Sequence, residues 1–150
     1  MTKDQFDQEP AFQLLYGVRV LIRHPTLSVQ AINERLNAQP TYSWGFDDPG
    51  KSDTMWALVT WTEGGRYFFE EIDHVLEWLE DKAAFVQDVH TAVGGKVVII
   101  AQLSGSANIG DELSPGTMGR AAALGVSIGV EVFPNLRKTE NRGQIQINPD

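Results

Sequence analysis

A chain of 150 residues and 16.6 kDa is the size of one domain and can bury a sizeable core without covalent staples. Its 42% hydrophobic and 21% charged residues, with 14 glycines and 7 prolines, exclude collagenous, low-complexity and wholly disordered chains, and the absence of cysteine excludes disulfide scaffolds, thiol nucleophiles and Cys-ligated metal centres. Twenty acids against 12 lysines and arginines give a net charge of -8, and the whole excess arises between Asp47 and Asp81, where only Lys51 and Arg66 oppose the acids.

In chain order, residues 1 to 10 are polar, as are 137 to 150, so both ends read as tails around a single-domain core from about 11 to 136. Tyr16, Val18, Val20 and Ile22 alternate with Gly17, Arg19 and Leu21, which predicts a first strand with one buried face. Ser28 caps a short helix anchored by Ile32 and Leu36, and Gln39-Pro40 stops it. Thr41 to Asp53 is expected as a loop rich in Gly, Pro and Asp. Met55 to Trp61 is a strand with aromatic and β-branched side chains on both faces.

From Phe68 to about Val89, the apolar residues Phe68, Ile72, Val75, Leu76, Leu79, Ala83, Val86 and Val89 recur at threes and fours, which predicts one long amphipathic helix. Its acids gather in the N-terminal half, where they complement the helix dipole. Val97 to Leu103 is continuously apolar and reads as a strand covered on both faces. Ser114-Pro115 opens a further helix that Gly125 closes, and Val126, Ile128, Val130 and Val132 alternate as the last strand. Gln144 to Ile147 can add an edge strand. The expected architecture is α+β: a single mixed or antiparallel sheet of four to five strands with helices mainly on one face, related to ferredoxin-like folds. It carries a weak internal strand-helix-strand repeat, Tyr16 to Trp61 and Val97 to Phe133.

Gly45-Phe46-Asp47-Asp48-Pro49-Gly50-Lys51-Ser52 matches the P-loop letters G-x-x-x-x-G-K-[ST], but a strand-like run follows it where a phosphate-binding loop needs a helix N-terminus. Asp47 and Asp48 would also oppose phosphate, so no nucleotide cofactor is expected. His24, His74 and His90 lack a metal-binding or catalytic spacing, and the acids Asp47, Asp48 and Asp53 lack the order of a calcium loop, so no metal is expected either. No nucleophile elbow, Ser-His-Asp order or dinucleotide fingerprint occurs. Tyr42, Trp44 and Phe46 stand beside Asp47 and Asp48, a composition suited to a recognition loop and equally to a flap that covers the end of the sheet.

Leu27 to Trp44, Gly50-Lys51, Trp56, Leu76-Glu77-Trp78-Leu79 and Leu124 to Phe133 resemble the bacterial domain-of-unknown-function family numbered 4279, over about residues 12 to 133. The resemblance implies bacterial origin and carries over no catalytic residue. It also places Gly50-Lys51 in that family's loop after the first helix.

A negative field repels nucleic acid and attracts a basic protein. The expected function is a non-catalytic binding protein, most concretely an immunity protein that neutralises a basic toxin through Tyr42, Trp44, Phe46, Asp47, Asp48, Glu70, Asp73, Glu77, Glu80 and Asp81. The alternative is a small-ligand or enzymatic domain with a pocket at Gly45 to Ser52. The N-terminus lacks the apolar core of a secretory signal, and the longest apolar run, Val97 to Ala101, is far short of the roughly 20 residues that span a bilayer. A cytoplasmic location away from membranes is therefore expected, with homo-oligomerisation left open.

Overall fold

The computed structural model describes residues 15–63, 68–104 and 110–133; Gln144 to Ile147 lie outside them. In chain order the elements are β1 (Leu15–His24), α1 (Val29–Leu36), β2 (Tyr42–Trp44), β3 (Thr54–Glu63), α2 (Phe68–Glu80), α3 (Ala83–Thr91), β4 (Lys96–Ser104), α4 (Pro115–Leu124) and β5 (Ser127–Phe133). The strands form one mixed sheet in the order β2-β3-β1-β4-β5. β1 lies at its centre, antiparallel to β3 and to β4, while β5 runs parallel to β4. This is the expected α+β class.

Alternation along each strand sorts the side chains onto two faces. Val18, Val20 and Ile22 of β1, Trp56 of β3, and Val97, Ile99, Ala101 and Leu103 of β4 share one buried cluster with side chains of all four helices, so the helices cover that face. Arg19, Met55, Ala57, Val98, Ile100 and Gln102 point to the other face and are also buried. β4 is thus covered on both sides, as its continuous apolar run predicts.

The units Tyr16 to Trp61 and Val97 to Phe133 differ in their pairing. β1 and β3 are antiparallel neighbours, whereas β4 and β5 are parallel neighbours joined through α4. A ferredoxin-like relation finds no support in this order, because its split unit would hold the first pair parallel.

Local signals set the helix ends. Ser28 Oγ accepts the amide of Ala31 at 3.0 Å, and Ser114 Oγ accepts that of Thr117 at 3.1 Å, so both predicted caps form. Gly125 closes α4 at φ +79, and a Cβ there would come within 2.4 Å of the His90 ring.

Two expectations are corrected. The predicted helix from Phe68 to Val89 is two helices, α2 and α3, broken at Asp81 and Lys82. Between Leu79 and Phe85 the stripe offers only Lys82 and Ala83 near the core, so nothing large and apolar anchors a continuous rod there; the amide of Lys82 bonds the carbonyl of Leu79 in a tightened turn. Phe85, Val86 and Val89 then return α3 to the core. The predicted loop from Thr41 to Asp53 contains the short edge strand β2, paired at Tyr42↔Ala57, Ser43↔Trp56 and Trp44↔Met55.

Candidate functional site

Two surfaces carry the residues singled out from the sequence, and they lie on opposite sides of the sheet. Tyr42 and Trp44 pair with Ala57 and Met55, which places their side chains on the face opposite the described helices. Two cations lie over the Trp44 ring, Lys51 Nζ at 3.7 Å and the Arg23 guanidinium carbon at 5.7 Å from its centroid. Arg23 in turn grips Asp53 through Nε at 2.7 Å and Nη2 at 2.9 Å, and this paired hydrogen bond holds the Asp53 carboxyl below the usual carboxylate range.

Four amides of the turn from Gly45 to Ser52 have acceptors in the turn or in Thr54 just after it. Gly45 donates to Asp48 Oδ2 at 2.8 Å, Phe46 to Thr54 Oγ1 at 2.9 Å, Asp48 to the Gly45 carbonyl at 3.1 Å and Lys51 to the Asp48 carbonyl at 3.0 Å. Strand β3 follows, so the P-loop lettering lacks the helix N-terminus that holds phosphate. Asp48 shapes this turn, Phe46 is half-buried and Asp47 is exposed.

On the same face Arg19 performs a role that sequence periodicity does not reveal. Its Nη1 donates to the Tyr42 hydroxyl at 2.9 Å, and its Nη2 pairs with Glu131. One guanidinium on the central strand thereby ties together side chains from both edge strands. Burial raises the Tyr42 phenol above its ordinary pKa, although the Arg19 charge and hydrogen bond act against that rise. Among the described residues, Arg19 Nε and Gln102 Oε1 are buried on this face without a hydrogen-bond partner. The sequence signal was an arginine inside β1 and a glutamate inside β5, each interrupting an apolar strand.

The acids of α2 face the opposite way. Residues in a helix are about 100° apart, so Asp73, Glu77 and Glu80 share the flank turned toward α4. There Asp73 accepts the Thr117 hydroxyl and lies 3.5 Å from Arg120 Nη1, and Glu80 accepts Arg120 Nε at 3.2 Å as well as Nη2. The hydrogen bond from Arg120 holds the Glu80 carboxyl below its ordinary range, and Glu77 adds to the field that raises Arg120. Glu70, Glu77 and Asp81 are exposed. Asp111 accepts the Phe69 amide at 2.9 Å and so adds a further acid to the positive end of α2.

Among the described residues no group of three or more His, Asp or Glu side chains is arranged to hold a metal ion, and no helix is long and apolar enough to cross a membrane. An α+β domain with one helix-covered sheet face and a cation-rich opposite face is the class these features define. Residues 15–134 match the family described as Domain of unknown function (DUF4279), and the chain belongs to that family. Neither a curated protein nor a solved structure matches it.

Proposed function

We propose that this chain is a non-catalytic binding protein, an immunity protein of the cytoplasm that neutralises a basic toxin through the acidic ridge of α2. One observation carries the reading: Asp73, Glu77 and Glu80 crowd around the single guanidinium of Arg120, while Glu70 and Asp81 extend the ridge, so acid remains in excess after the internal pairing. A surplus of one sign along an exposed helix raises the local concentration of a cationic partner and repels nucleic acid. The ridge is a narrower surface than the one expected from sequence, because Tyr42, Trp44 and Phe46 belong to the other side of the molecule or to its turn. The alternative of a ligand pocket at Gly45 to Ser52 has less support, since four amides of that turn already have internal acceptors and a strand rather than a helix follows it.

A rescue assay tests the proposal. Cells producing a candidate toxin from the neighbouring gene should survive with the native protein and die with the triple variant Glu70→Lys, Glu77→Lys, Asp81→Lys, although that variant melts normally. Equal protection by a well-folded triple variant would remove the ridge as the interface.

A further inference from the structure

The other flank of α2 borders a groove of about 230 Å³ over the β1 and β3 half of the sheet. Glu71 and Trp78 stand about 140–180° around the helix from Asp73 and Glu80, so this groove is separate from the Arg120 cluster. Its floor is apolar, built from Val18, Val20 and Leu58, and Trp78 stands along its wall. The Thr60 hydroxyl at the floor donates to the Val18 carbonyl at 3.4 Å and so has an internal partner. At the mouth are Glu71 and His74, with His74 Nδ1 3.5 Å from Glu71 Oε1. The Glu71 side chain is only 26% exposed, against 70% for His74, so the carboxylate is partly shielded while the imidazole lies in solvent. Among the described residues no lysine or arginine lines the groove.

We propose that this groove binds a small organic ammonium ion, with its apolar body against Leu58 and Val75, above the buried Val18 and Val20, and its cation between the Trp78 ring and the Glu71 carboxylate. Each part of the ligand follows from a part of the site. Apolar surface removed from water supplies a non-directional attraction. A partly shielded carboxylate favours a cation more than it would in bulk water, because the local dielectric is lower. An indole face attracts an ammonium group within about 6 Å of its centroid. The volume lies below the roughly 300–1,000 Å³ of drug-sized pockets, which fits a single-ring or short-chain amine and is too small for a nucleotide or a large cofactor. His74, the most exposed group at the mouth, moves aside when the cation approaches Glu71. The proposal is independent of the toxin-binding reading, which rests on the other flank and the crest of α2.

Titration of the full chain with 2-phenylethylamine, followed by amide NMR shifts, tests it. The amine should give saturable shifts confined to β1, β3 and α2 around the groove, and the neutral analogue 2-phenylethanol should bind at least about tenfold more weakly. Glu71→Gln should weaken amine binding by about tenfold, whereas Glu70→Gln, one residue along but outside the groove, should change it less than about twofold. Shifts spread without saturation over the acidic surface would overturn the proposal, as would equal binding of the alcohol or equal losses from the two substitutions. The spectrum of each variant without ligand shows whether it has kept the fold.

Discussion

His24 shows how much one side chain settles locally. At the end of β1 its Nδ1 accepts the amides of Thr26 at 3.0 Å and Leu27 at 2.9 Å, which shapes the turn into α1 and requires an unprotonated Nδ1. Burial lowers its pKa below the ordinary histidine value. In the unfolded chain the imidazole binds a proton more readily than in the folded one, so the contribution to stability is complete above about pH 6.5 and declines as pH falls toward the lowered folded value. His24→Asn, which keeps a short acceptor and removes the titration, should reduce the loss of stability that the native chain shows between about pH 6.5 and 5 in chemical denaturation. A native-minus-variant difference that stays constant over this range would mean that His24 does not titrate against folding. The same scale explains why the P-loop lettering misleads: Asp48 and Thr54 take the amides of Gly45 and Phe46 that a phosphate would need.

At the scale of elements, the broken helix shows both the reach and the limit of periodicity. Ile72, Leu76 and Leu79 are wholly buried, so the stripe identifies the correct face of α2. Leu79→Ala should therefore cost about 2–5 kcal/mol in denaturant unfolding, and Val93→Ala, at a position 95% exposed, less than about 0.5 kcal/mol. Comparable losses from the two would place Leu79 outside the core. The break at Asp81 and Lys82 is hard to read from sequence because the apolar stripe resumes in phase after it, and a period carries no mark of a turn that preserves that phase. β2 escapes for another reason: three residues are too few to alternate, and their partners Met55, Trp56 and Ala57 belong to a later strand. Caps, by contrast, are written locally, and Ser28, Ser114 and Gly125 all perform as their types predict. Arg19 lies furthest from view, since its partners Tyr42 and Glu131 are 23 and 112 residues away.

For the whole molecule, the sheet separates two surfaces that a linear reading joins into one. The acids from Asp47 to Asp81 are contiguous in sequence, yet Asp53 is engaged with Arg23 beside Trp44, and Asp73 and Glu80 are engaged with Arg120 on the far side. A partner docked on α2 therefore feels the field of Glu70, Glu77 and Asp81 without touching the Trp44 ring. From sequence alone, Trp44→Ala would be expected to speed dissociation of the partner as the loss of a buried anchor. The fold leads to a different expectation for a partner on the ridge. Reversal of Glu70, Glu77 and Asp81 to lysine should slow association and flatten its dependence on salt, because exposed charges act through a field screened over about 10 Å at 0.1 M ionic strength. Trp44→Ala should leave both rate constants within about twofold of the native values, since additivity holds for sites that share no contact. Surface-bound kinetics across a salt series, with the toxin used in the rescue experiment as partner, distinguishes the surfaces: faster dissociation of the Trp44 variant with unchanged association of the reversed one would move the interface from the helices to the opposite face of the sheet.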